Sequence, residues 1–117
     1  MVPHDEEGLI RPRFLTWITE YDAIRKDPMK LINKITDAWT YGNTGFVIKN
    51  KYNGKYTVEL HCLGDSQNEK MITALMGNEH FFALYWERSI AGGHYRFKIP
   101  PPTKLQRLNN YISKLDD

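Results

Sequence analysis

The sequence predicts an α+β fold: a four-stranded, largely antiparallel sheet made of two β-hairpins, with helices packed on one face, in the order α-α-ββ-α-ββ-α. Three observations carry that prediction. Apolar residues recur at helical spacing through the first third of the chain. Two later runs alternate apolar and polar residues, and each is broken by turn residues, Asn53-Gly54 and Gly92-Gly93. Glycine accepts the positive φ that tight hairpin turns require. Between the hairpins, Ser66-Gln67-Asn68-Glu69 reads as a capping box opening a short helix.

The bulk composition sets limits. With 117 residues the chain fits one domain and needs neither disulfide nor metal to hold a core. A hydrophobic content of 41% and a charged content of 26% are ordinary for a globular protein. The net charge of +2 excludes a histone-like basic protein and an acidic DNA mimic. Affinity for nucleic acid would have to come from local clustering of cations. The single cysteine, Cys62, forms no intramolecular disulfide and no thiolate zinc cage, and suits a reducing cytoplasm. The polar N-terminus lacks the pattern of a signal peptide, and no run approaches the ~18 apolar residues of a membrane span.

Residues 1–13 read as a flexible tail ahead of a single domain over 14–117, with Arg11 and Arg13 forming a short basic arm at its end. Phe14, Trp17, Ile18, Tyr21 and Ile24 predict an amphipathic helix over 14–26. Asp27-Pro28 then pairs a good N-cap with a proline at the first helical position. The second helix carries Leu31, Ile32, Ile35, Ala38 and Trp39 on one stripe and ends in the turn-rich stretch 41–45. Trp17 and Trp39 sit on these stripes as core anchors.

The first hairpin spans Phe46 to Leu63. A two-residue Asn-Gly loop would set Val58 opposite Lys49 and place the apolar residues of the two strands on different faces. A three-residue loop pairs Ile48 with Leu60, Phe46 with Cys62 and Lys49 with Glu59, and is preferred because a one-residue slip turns every side chain over. Cys62 then faces the core as a small hydrophobe. After the middle helix, with Met71, Ile72, Leu75 and Met76, the second hairpin runs from His80 to Ile99. Folded about Gly92-Gly93, it pairs Trp86 with Ile99, Arg88 with Phe97 and Glu87 with Lys98. Arg88 falls in the apolar row, near the turn. Three prolines, 100–102, stop the last strand. Thr103-Lys104-Leu105-Gln106 caps a final helix with Leu105, Leu108, Ile112 and Leu115 on one face.

No established catalytic or metal-binding motif is present. The histidines, His4, His61, His80 and His94, lack metal-ligand spacing, and neither a nucleophile elbow nor a phosphate-cradling glycine loop occurs. No cofactor is called for. The alternation instead predicts an open sheet face that mixes cations with rings. Lys49, Lys51 and His61 come from the first hairpin; Phe81, Tyr85, His94, Arg96 and Lys98 come from the second. Cations hold phosphates and exposed rings stack on unpaired bases. The expected function is therefore a small, non-enzymatic nucleic-acid-binding accessory protein, of the kind a virus or mobile element encodes, with RNA or DNA as partner. Two further readings stand beside it. One is a regulator or inhibitor that docks on a host or cellular protein through the same face. The other is a metal-independent ribonuclease centred on Glu87, His94 and Arg96, since such chemistry needs only a base, an acid and a cation for the phosphorane. Against it, Glu87 has Lys98 as a structural partner across the strands.

Overall fold

The chain builds two layers, one of helices and one of strands. A computed structural model describes residues 2–40 and 47–116. The elements are α1 (Pro12–Glu20), α2 (Pro28–Ala38), β1 (Val47–Tyr52), β2 (Lys55–His61), α3 (Ser66–Met76), α4 (Glu79–Tyr85), β3 (Trp86–Ile90), β4 (His94–Ile99) and α5 (Lys104–Asp116). The strands form one antiparallel sheet in the order β1-β2-β4-β3, so the two hairpins meet through their second strands. The expected turn at 41–45, Phe46 with its pairing, and the side chain of Leu115 lie outside the described residues. Among the described residues no helix is long and apolar enough to cross a membrane.

The core lies between the layers. Phe14, Ile18, Leu31, Ile32, Ile35, Met71 and Leu75 from the helices meet Val58, Leu60, Phe97 and Ile99 from the sheet, all buried. Polar side chains close the helix ends. Asp27 accepts from the Met29 amide at 2.9 Å and starts α2 next to its N1 proline. The wholly buried Asn68 accepts from the Thr40 amide and donates to the Thr40 carbonyl, which fastens the end of α2 to α3. Asn78 accepts from the Phe81 amide and donates to the carbonyls of Ile18 and Tyr21. It thereby caps α4 and satisfies the end of α1, as buried backbone acceptors require.

Several expectations are corrected. Residues 3–11 close a turn rather than trail off: His4 bridges Ile10, Asp5 accepts from the amides of Glu7 and Leu9, and Ile10 is buried with its amide on Gln67. The first helix is shorter than the predicted 14–26, because Asp22 caps a separate turn through the amides of Ile24 and Arg25. The cap of α3 is Asp65, which accepts from Gln67 and Asn68, not Ser66.

The first hairpin takes the register that was set aside. Val47 pairs with Leu60, Lys49 with Val58 and Lys51 with Tyr56. Asn53 and Gly54 both adopt positive φ, at 51° and 79°, as a two-residue primed turn demands. Turn chemistry wins because β1 is an edge strand. Leaving Ile48 37% exposed forfeits only part of the roughly 2 kcal/mol that full burial is worth.

The predicted strand from His80 splits into α4 and β3. Phe81 and Tyr85 alternate as a strand would, but they also stand four residues apart on one helical face behind the Asn78 cap. Phe81 is wholly buried and Tyr85 is 8% exposed. Phe81 packs on Phe97 at 5.5 Å and on Tyr85 at 5.1 Å.

Candidate nucleic-acid interface

The face of the sheet turned away from the helices is defined by register. Val58 and Leu60 point to the core, so Thr57, Glu59 and His61 of β2 point away from it. Their partners on β4, Lys98, Arg96 and His94, share that side. β1 contributes Ile48, Asn50 and Tyr52, and Lys55 stands opposite Tyr52. On β3 the register shifts between Trp86 and Arg88. The irregularity breaks the alternation that would have kept Arg88 in the apolar row. It sets Arg88 opposite Arg96 and Ile90 opposite His94, and it leaves Glu87 within reach of the β4 cations.

These residues form a cavity of about 320 Å³ near the 91–93 turn, lined by Glu59, His61, Arg88, Ile90, His94, Tyr95 and Arg96. His61 and His94 face each other across β2 and β4, with their Nδ1 atoms 2.6 Å apart and their rings at 64°. One Nδ1 must carry the bridging hydrogen and the other must accept it. Arg96 lies 3.7 Å through Nε from the Glu87 carboxylate, too far for a hydrogen bond, and that Nε is buried without an acceptor. Lys98 reaches the same carboxylate at 3.4 Å. An arginine opposite an arginine is an unfavourable cross-strand pair, and an orphaned buried donor calls for an explanation. The Glu87 carboxylate beside them offsets part of this charge.

The sequence-predicted site is thus divided. His94, Arg96 and Lys98 are together on the open face. Lys49 and Lys51 are on the helix side: the Lys49 Nζ donates to the Asn33 Oδ1 at 3.0 Å, and the Lys51 Nζ sits 5.4 Å above the Tyr56 ring. Phe81 and Tyr85 are in the core, so neither offers a ring for stacking. Arg11 and Arg13 belong to the entry of α1 in the helix layer, and the Arg11 Nε is bonded to the His4 carbonyl. Glu59, Arg88, Tyr52 and Lys55 were missed as members of this face, whereas His61 lies on it as expected. The signal for them was the Asn-Gly turn, which sets the parity of the first hairpin. Among the described residues this face gains the exposed ring of Tyr52, 79% exposed, next to a second hollow of about 330 Å³ that Lys55, Thr57 and Lys98 help to line.

Cys62 is buried, and burial above all, then Glu69 and Asp65, pushes its thiol up to about 11, so it is no nucleophile at neutral pH. Comparison of the chain with family models, with curated proteins and with solved structures finds no match.

Proposed function

We propose that this chain is a small nucleic-acid-binding protein that takes the phosphodiester backbone of a single strand on its open sheet face. The opposed pair Arg88–Arg96 carries the reading, since two arginines directly opposite across the strands repel each other, and a phosphate between them would relieve the repulsion that Glu87 only partly offsets. Lys98 and Lys55 continue the cationic track away from the cavity, and Tyr52 supplies a ring on which a base can stack. Glu59 and Glu87 keep the face from being uniformly basic, so binding is moderate and salt-sensitive.

The test is a salt-titrated fluorescence-anisotropy assay with labelled single-stranded RNA, single-stranded DNA and duplex DNA. Binding should weaken steeply with salt. Arg96→Ala should reduce the slope of log K against log salt by about 0.7, the loss of one phosphate contact on a single strand. Lys49→Glu, on the opposite side of the sheet, should leave that slope unchanged. No binding at low salt overturns the reading.

One observation favours a second reading, a protein-docking module, but through α5 rather than through the sheet. Leu105, Leu108, Tyr111 and Ile112 are all exposed along that helix. Such a stripe fits an apolar groove on a partner protein. Partners captured by the wild-type chain and lost with Leu108→Glu/Ile112→Glu would support it. An unchanged set would remove it.

A further inference from the structure

From the His61–His94 contact we infer that the open face does more than hold RNA: the pair cleaves it, passing one proton from ring to ring. This inference rests on the reading that the face binds a nucleic-acid strand. The physical basis is the 2.6 Å Nδ1···Nδ1 hydrogen bond. A neutral imidazole carries one N–H. If one ring spends its N–H at Nδ1 in this bond, its Nε2 is bare and can act as a base. The other ring accepts at Nδ1, so its own hydrogen is on Nε2, where it can act as an acid. Between two neutral rings the hydrogen bond therefore sets opposite tautomers. The result is one base and one acid in the same cavity, whichever ring holds the bridging proton. The Nε2 edge of His94 lies beside the Gly92 turn, where a Cβ would stand 3.4 Å from that atom, so the glycine keeps a methyl group off that edge.

The reaction that fits is attack of a ribose 2′-hydroxyl on the adjacent phosphodiester. The 2′ oxygen forms a bond to phosphorus and gives its proton to the bare Nε2. The bond from phosphorus to the 5′ oxygen breaks, and that oxygen takes the proton from the other Nε2. The bridging proton shifts between the two Nδ1 atoms. Both rings are neutral before and after, nothing is oxidised or reduced, and the products are a 2′,3′-cyclic phosphate and a 5′-hydroxyl. The tautomers have exchanged, so hydrolysis of the cyclic ester by water uses the pair in the reverse sense and restores it. Arg96 and Arg88 opposite it, both lining the cavity, would hold the extra negative charge on the phosphorane. Glu59, which lines the same cavity, is the competing base.

The experiment uses a fluorescent oligoribonucleotide, its all-2′-deoxy counterpart and a chelator in the buffer, with binding and cleavage read separately. Expected are binding of both strands, cleavage of the ribonucleotide alone, and cyclic-phosphate ends on the product. His61→Gln and His94→Gln should each slow cleavage by about 100-fold or more. Because one proton path runs through both rings, the double variant should lose no more than either single variant. Circular dichroism establishes that the variants fold. Binding without cleavage overturns this inference and leaves the binding reading standing, whereas binding of neither strand overturns both. Losses that multiply in the double variant, or a Glu59→Gln loss exceeding either histidine's, would replace the relay with separate acid and base. Loss of activity in chelator would also overturn it.

Discussion

Gly93 joins the two hairpins at the point where the candidate site is built. Its carbonyl accepts the Cys62 amide at 2.8 Å, its φ is +83°, and a Cβ there would come within 3.0 Å of the Cys62 Cβ. Its neighbour His94 and Cys62's neighbour His61 are the two rings in contact. A side chain at 93 would meet both penalties at once: left-handed backbone, at about 1–2 kcal/mol, and a clash with a strand that has no room to retreat from the core. Gly93→Ala should therefore lower stability by about 1–3 kcal/mol, read as a lower urea midpoint at unchanged slope. An unchanged midpoint would mean that β2 can yield there. The local part of this was legible, since Gly92-Gly93 marks a turn in the sequence alone. The meeting of His61 with His94 was not, because it depends on β2 and β4 lying side by side, and no local pattern dictates which strands of two hairpins become neighbours.

At the scale of elements, local signals held where they were specific and failed where two periods fitted one segment. The Asp27-Pro28 start of α2 and the Thr103–Gln106 box of α5 appear as read, the latter with reciprocal bonds of 2.9 and 3.1 Å. The stretch 79–85 satisfied both a strand and a helix, and burial of Phe81 with Tyr85 decided for the helix. The first hairpin was misread by weighing apolar matching above the Asn-Gly turn. The final helix reverses the usual arrangement. Its polar side chains face the protein: Gln106 is 3% exposed and donates to the Ile24 carbonyl, Asn109 donates to the Arg25 carbonyl, and Asn110 to Asp27. Its apolar stripe faces solvent, with Leu108 54% exposed. Substitutions should therefore rank against hydrophobicity. Gln106→Ala removes a cap and the donor to the part-buried Ile24 carbonyl, at a cost of about 1–3 kcal/mol. Leu108→Glu should change stability by less than about 0.5 kcal/mol. Thermal melts of both variants check the ranking, and a larger loss from Leu108→Glu would mean that the stripe is covered within the chain.

For the whole molecule, the sheet separates two chemistries. Its helix side covers the buried core, with Lys49 and Lys51 standing only on the edge strand there, and its open side carries the other strand cations, which a ligand can use. The pH dependence of stability should follow the buried side. Burial pushes the Cys62 thiol from its ordinary 9.0 up to about 11. Burial, then Asp27 and Asp22, raises the Tyr21 hydroxyl, which donates to the Asp27 carbonyl at 2.7 Å. Each keeps its proton in the folded chain at a pH where the unfolded chain has released it. The thiol's contribution is therefore intact below about 9 and is lost as pH climbs through about 11, while that of Tyr21 is intact below its ordinary 10.0 and declines above it. Between those limits each group costs up to about 1.4 kcal/mol of stability per pH unit. The melting temperature should hold steady through neutral pH and fall progressively above 9. In Cys62→Ala the overall level changes with the lost packing. The decline should begin later, near the ordinary 10.0 of tyrosine, because only the Tyr21 contribution is then left. A decline of the same shape and onset in both proteins would place the alkaline limit somewhere other than the thiol.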